Sequence, residues 1–247
     1  MNELSISQNF LKDKLLVNKL LKETNINSED LVLEIGPGKG IITIELSNIC
    51  KKIIGIEFDK ELFNCLNSIN ITNANIIYGD FLDYKFEDKL KIFSNIPFNI
   101  TSDIFNKMLE NMEYIESFYF IMQKEAAEMY LGTNNESMKS LLFKPFYSGK
   151  IIYNFNKTDF DPIPNVDIVL VEFIKKEYSD IKKALPIDYL NFLAYIFDNN
   201  EPTIEKKVKS ILTYEQLKRI KKLLKCNIND KISDIKWVII LTIFNLL

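Results

Sequence analysis

The chain is expected to be an α/β protein: a mostly parallel sheet with helices on both faces, followed by a smaller all-helical domain. Three observations lead there. Over residues 1–180, short β-branched runs alternate with segments of helical spacing, as in a parallel sheet wrapped by crossover helices. The last two of these runs have no helix between them, which predicts an antiparallel hairpin at one edge. From residue 181 to residue 247 every segment has 3.6-residue spacing and no β-rich run recurs.

The elements follow in order. "DLVLEIG" is apolar throughout and ends in glycine, as a buried parallel strand does. "KGIITIELSNIC" is spaced as a helix, "KKIIGIEFD" as a strand, "KELFNCLNSI" as a helix, and "NANIIYGD" and "KLKIFSNIP" as strands. "ITSDIFNKMLENM" reads as a helix, "IESFYFIMQ" as a strand and "KEAAEMYL" as the start of a helix. "GKIIYNF" and "VDIVLVEFIKK" form the expected edge hairpin around "NKTDFDPIPN". Four helices are expected beyond it, in "PIDYLNFLAYIFDN", "TIEKKVKSIL", "TYEQLKRIKKLLK" and "ISDIKWVIILTIFNLL", with Thr203 and Thr213 or Ser233 as N-caps.

Composition excludes whole classes of chemistry. The 247 residues contain no histidine, which rules out a Ser-His-Asp triad, an HExxH zinc site and a histidine general base. Cys50, Cys65 and Cys226 are far apart and form no C-x-x-C, so no metal site is expected and the thiols are expected to stay reduced. "MNELSISQNFLKDKLL" is not built as a signal peptide, and "WVIILTIFNLL" is shorter than the roughly 20 residues of a membrane span. A cytoplasmic monomer is expected. Net charge is −3, but from residue 180 on there are 12 Lys or Arg against 8 Asp or Glu, which leaves 19 against 26 before it. The dense run holding Lys218, Arg219, Lys221 and Lys222 reads either as a solvated helical face or as a polyanion contact.

The first strand runs into Gly36, Gly38 and Gly40, spaced G-x-G-x-G rather than as a dinucleotide fingerprint or a P-loop. Such glycines permit close backbone approach to a ligand, or simply a tight strand-to-helix turn. Glu57 ends the second strand, 21 residues after Gly36, where an acid accepts ribose hydroxyls; Asp80 ends the third, where a carboxylate can receive an adenine amine. Three strands ending in a glycine loop, an acid and an acid point to an adenosine-containing ligand.

With "SQNFL", "EIGPGKG", "GIEFD", "YGDF", "NIPFNITS", "MQKEAA" and "FDPIPNVDIVLV" in this order, the chain resembles the S-adenosylmethionine-dependent rRNA adenine dimethyltransferases. The resemblance covers about residues 5–172 and implies a Rossmann-like methyltransferase sheet. One branch, the Erm enzymes, dimethylates an adenine of 23S rRNA and confers macrolide, lincosamide and streptogramin B resistance. The other, the KsgA type, modifies two adjacent adenines of 16S rRNA. "SISQNFL", the chain length, "VDIVLV" and the tail resemble the Erm branch. The likeness implies that Gln8, Asn9 and Phe10 close over the methionine end of the cofactor, and that Gly36, Gly38 and Gly40 wrap its amino-acid part. It further implies that Glu57 binds the ribose, Asp80 and the Phe81 backbone bind the adenine, Phe160 faces the target base and Lys124 faces RNA. Unlike the usual Erm protein, the chain has one arginine, Arg219, and a pI near 5.3.

The stretch Asn95-Ile96-Pro97-Phe98 then has a chemical reading. Adenine's exocyclic amine is a poor nucleophile because its lone pair is delocalised into the ring. The Asn95 carboxamide oxygen and the Ile96 carbonyl are placed to accept its two N–H bonds and favour a pyramidal nitrogen. Pro97 fixes its own φ and biases Ile96 away from the helical region, while Phe98 offers a ring on which a flipped base stacks. The competing readings are a KsgA-type enzyme, a non-catalytic RNA-binding relative and a small-molecule methyltransferase.

Overall fold

A computed structural model describes residues 9–181, 186–198, 203–224 and 235–247. The chain folds as two compact units, one of residues 1–127 and 148–175, the other of residues 128–147 and 176–247. The excursion 128–147, which the sequence reading assigns to the first domain, thus belongs with the helices.

In the first unit the strands are β1 (Phe10–Leu11), β2 (Leu31–Ile35), β3 (Lys52–Glu57), β4 (Ala74–Tyr78), β5 (Leu90–Asn95), β6 (Ile115–Gln123), β7 (Tyr147–Asn154), β8 (Phe160–Asp161) and β9 (Ile168–Lys175). Seven form a sheet of order β4-β3-β2-β5-β6-β9-β7. Strands β4 to β6 along that order pair parallel, and β9 runs antiparallel to β6. β7 follows β9 at the edge, the Phe155 N–H donating to the Ile168 carbonyl at 3.0 Å where the hairpin closes, so the hairpin expected from the missing helix is present.

Helices α1 (Lys14–Lys22), α2 (Ile41–Ser47), α3 (Lys60–Ser68) and α4 (Thr101–Glu110) join these strands. Asp13 caps α1 through the Leu15 N–H at 2.8 Å, and Asp59 caps α3 through Glu61 and Leu62 at 2.8 and 3.0 Å. Both acids satisfy donors that have no partner within a helix's first turn. The core beneath is aliphatic and aromatic, with Val17, Leu20, Val32, Ile53, Phe93 and Leu170 almost fully buried.

The strand order fixes where a ligand can go. From β2 the chain proceeds outward to β3 and β4; from β5 it proceeds the other way to β6. The crevice at such a switch point opens beyond the carboxyl ends of the two central strands, here after Ile35 and after Asn95. Buried Ser94 ties the two ends together, its hydroxyl donating to the Ile35 carbonyl.

In the second unit, α6 (Met138–Phe143), α7 (Pro186–Phe197), α8 (Ile204–Lys209), α9 (Tyr214–Leu224) and α10 (Trp237–Phe244) are helical. They share a core that includes Leu141, Leu193, Val208, Ile220 and Ile240. α5 (Lys124–Leu131) begins in the first unit and ends in the second. Thr203 stands at the N-cap of α8, the Thr213 hydroxyl accepts the Gln216 N–H at 3.3 Å, and Ser233 lies outside the described residues.

Candidate active site

The glycine loop leaves β2 with Gly36, Gly38 and Gly40 all at positive φ, 63°, 58° and 82°. At Gly38 there is also no room for a side chain: a Cβ would lie 2.7 Å from Cε1 of the Phe10 ring, which rests on the loop. The loop's N–H groups are held from the next strand. Gly36 donates to the Ile56 carbonyl at 2.9 Å, and Gly38 donates to Oε2 of Glu57 at 2.8 Å. The other Glu57 oxygen accepts the Asp59 N–H at 2.9 Å. Glu57 therefore braces the loop, and each of its oxygens keeps a second lone pair. Burial raises its pKa, and the backbone N–H bonds pull the other way.

Next along the sheet edge, Asp80 is half-buried and accepts the Leu82 N–H at 2.8 Å. Phe81 is buried beside it, with the Lys107 ammonium 5.6 Å from its ring centre. On the other side of the glycine loop, the Asn95 carboxamide nitrogen donates to the Asn9 backbone carbonyl at 2.7 Å. That bond turns the carboxamide oxygen away from Asn9. Ile96 donates its N–H to the Ile121 carbonyl at 3.2 Å, and Pro97 follows at φ −63° and ψ 124°. Phe98 is half-buried and begins a 3₁₀ turn that the Thr101 hydroxyl closes by donating to the Phe98 carbonyl at 3.0 Å.

Asn9, Phe10, Gly36, Lys39, Asn95 and Phe98 line one solvent-open cleft with about 620 Å³ of empty space. Gly38, Gly40, Glu57, Asp80 and Phe81 do not line it; they lie along the strand ends beside it. Glu34, which sequence reasoning missed, does. It is 1% exposed, accepts the Thr43 hydroxyl at 2.7 Å, and its carboxyl is pushed up to about 8, chiefly by burial, with Thr43 lowering it and Glu57 raising it. Its signal was the one acid inside "LVLEI", an apolar strand that has no structural use for a charge.

Phe160 does not take the role expected of it. Its ring is fully buried against Phe155, centroids 5.2 Å apart, and it offers no face to a base. Its strand β8 pairs with β1, Leu11 opposite Phe160, so it anchors the ribbon that lays Asn9 and Phe10 over the glycine loop. Gln8 lies outside the described residues. Lys124 is half-buried at the start of α5, its N–H on the Asp167 carbonyl at 2.8 Å. In the second unit Lys218, Arg219 and Lys221 are exposed on α9, and Lys221 pairs with Glu205 at 2.8 Å; the Lys222 side chain lies outside the described residues. The described residues contain no cluster able to hold a metal ion.

S-adenosylmethionine fits this arrangement. The glycine loop turns at positive φ at the end of a central strand, an acid with spare acceptors ends the neighbouring strand, and the Asn95 carboxamide lines the cleft beside them. Comparison with known proteins agrees. A protein 34% identical, matched over 88% of this chain and 87% of its own length, is the ribosomal RNA small subunit methyltransferase A of Mycoplasma mobile. An rRNA adenine N-6-methyltransferase of Bacteroides fragilis is 29% identical over 94% of this chain and 89% of its own. The crystal structure of the 23S rRNA methyltransferase ErmE superposes with a TM-score of 0.87 at 20% identity, covering 96% of this chain and 99% of that one, which shows the shared fold. The model of the ribosomal RNA adenine dimethylases matches residues 2–247, and the chain belongs to that family of S-adenosylmethionine-dependent rRNA adenine N6-methyltransferases.

Proposed function

We propose that this chain methylates the exocyclic amine of one adenine in 23S rRNA and thereby confers resistance to macrolide, lincosamide and streptogramin B antibiotics. The observation that carries the chemistry is the hydrogen bond from the Asn95 amide nitrogen to the Asn9 carbonyl. It turns the amide nitrogen toward Asn9, using one of its two N–H donors, and leaves the oxygen for an N–H donor from outside the chain. An adenine amine has two such donors, and the Ile96 carbonyl takes the second. Both bonds strengthen as the nitrogen becomes pyramidal and gains positive charge, so they favour the transition state over the bound base.

When bound, S-adenosylmethionine supplies an electrophilic methyl group on a sulfonium whose departure leaves a neutral thioether. Everything else falls to the chain. Glu57 takes the ribose, Asp80 with the Phe81 backbone takes the cofactor's adenine, and Gln8, Asn9 and Phe10 cover the methionine end. Phe98 stacks the flipped target base, a contact worth about 1–3 kcal/mol. The methylated nitrogen carries a strongly acidic proton that water in the open cleft accepts, so the lack of histidine is no obstacle. Helix α9 docks RNA through Lys218, Arg219, Lys221 and Lys222, with Lys124 contributing from the first unit, and the enzyme works as a cytoplasmic monomer.

The 23S target rests on the resemblance of "SISQNFL", "VDIVLV" and the tail to Erm proteins. A 16S target is the second reading, favoured by the name of the Mycoplasma mobile relative. Methyl transfer from labelled cofactor to separated substrates, mapped by primer extension, decides between them. Label in protein-free 23S rRNA supports the proposal; label only in small-subunit particles supports the second reading; label in neither overturns both.

A further inference from the structure

Two ionisable side chains line the cleft, Glu34 and Lys39, and they are opposites in environment. Glu34 is buried and bonded to Thr43, whereas Lys39 is exposed at the mouth. Four lysines of this unit pair with carboxylates, Lys14 with Glu45, Lys91 with Asp30, Lys150 with Glu172 and Lys157 with Asp167, but none of the four lines the cleft. Lys39 makes no ion pair among the described residues, although the first 179 residues hold 26 acids. Its ammonium instead sits 5.0 Å from the centre of the Phe10 ring, the ring that packs on Gly38. A cation over the face of a half-buried ring is held only weakly, so the ammonium stays in place yet is available to an anion.

We propose that Lys39 binds a backbone phosphate of the target RNA at the mouth of the cleft and so positions the flipped adenosine beneath Asn95 and Phe98. The inference rests on the reading of the chain as an rRNA methyltransferase. A lone positive charge at this mouth has no use in holding a sulfonium, which it repels. An adenosine turned into the cleft, in contrast, brings a phosphate to the rim with it. A flexible ammonium on a four-carbon stem suits a phosphate whose exact approach differs before and after base flipping, where a planar guanidinium fork would demand one geometry. It also gives an acidic protein with a single arginine a cation where the polyanion must dock.

The test compares wild type with Lys39→Gln and Lys39→Arg, using a fragment of the rRNA that the wild type methylates. RNA affinity is measured over a salt series, and S-adenosylmethionine affinity by calorimetry. Lys39→Gln is expected to weaken RNA binding about 5–10-fold at low salt and to reduce the slope of log K against log salt by about 0.7–0.9, the loss of one phosphate contact. Its KM for RNA should rise more than its kcat falls, its cofactor affinity should hold, and Lys39→Arg should restore the slope. A weakened cofactor with an unchanged RNA slope would assign Lys39 to the cofactor carboxylate and overturn the proposal, as would no change in either affinity. Failure of the wild type to methylate any rRNA would instead remove the underlying functional reading, so the two failures are distinct.

Discussion

The two ends of the central sheet both bury polar groups, but they treat them differently. At the amino-terminal end, Lys91 donates to Asp30 at 2.8 Å and to the Asn25 carbonyl at 2.6 Å. Asn25 also receives the Tyr119 hydroxyl at 2.9 Å and the Ser117 hydroxyl at 3.1 Å, and it returns its own N–H to Tyr119 at 2.9 Å. Each group there answers another, and the network pins the α1–β2 connection to β5 and β6. At the carboxyl-terminal end, Glu34, Glu57 and Asn95 each make bonds within the chain and each keeps acceptor capacity. Buried polar groups hold a fold together when their bonds are all used. Those with bonds to spare mark where something else is meant to bind.

The strongest way to break that comparison is Asn95→Ala. It should lower methyl transfer about 10³-fold, near 4 kcal/mol of transition-state stabilisation, while calorimetry shows cofactor still bound. Equal loss of both in a folded protein would make Asn95 a cofactor ligand only.

Glu34 gives the next effect. Its carboxyl is held near 8 against an ordinary 4.5, so the native state keeps a proton that the unfolded chain releases. Unfolding free energy should therefore fall as pH rises from about 4.5 to about 8 and level off above, a loss of a few kcal/mol at about 1.4 kcal/mol per pKa unit. Glu34→Gln keeps an acceptor for Thr43 and carries no such charge. The difference between wild-type and variant melting curves across this pH range isolates the group, and a constant difference would mean Glu34 is ionised throughout.

The opposite end of the sheet should respond in stability rather than in chemistry. Lys91→Met leaves half-buried Asp30 without its cation and should cost about 2 kcal/mol in urea unfolding. Cofactor affinity measured well below the transition should be that of the wild type. A variant that unfolded normally but bound cofactor poorly would erase the distinction between the two ends.

Much of this layout was legible in the chain itself. The apolar runs ending in glycine, Glu57 and Asp80 located three adjacent strand ends, and the absence of a helix before "VDIVLV" located the hairpin. What escaped had no periodicity to betray it. β1 and β8 are two residues each, too short for alternation to register, and so the ring of Phe160 looked available when pairing with Leu11 had buried it. Lys91 and Asp30 lie 61 positions apart, and nothing local distinguishes a lysine that is buried against a distant acid from one that faces water. The excursion 128–147 reads as part of the region around it, because which core a short amphipathic helix joins depends on surfaces that only folding creates. The adjacency of β2 and β5, which brings the glycine loop to Asn95, likewise follows from the crossover order and from no single motif.

Helix α9 offers the smallest effect and a third case: exposed cations only partly answered from within the chain. Ile220 is buried, while Lys218, Arg219 and Lys221 face solvent. Glu205 already engages Lys221 at 2.8 Å and Lys209 at 3.2 Å, which holds its carboxyl below the usual range. Phosphate must compete with that carboxylate, so Lys221 should contribute less than a full contact. Neutralising Lys218, Arg219, Lys221 and Lys222 together is therefore expected to lower the salt slope of RNA binding by about 2, less than four independent phosphates would give at about 0.7–0.9 each. Glu205→Gln should act in the opposite sense, freeing Lys209 and Lys221 and steepening the slope. An unchanged slope in both variants would make this face a solvated one, and the RNA contacts would then have to come from the unit that holds the cleft.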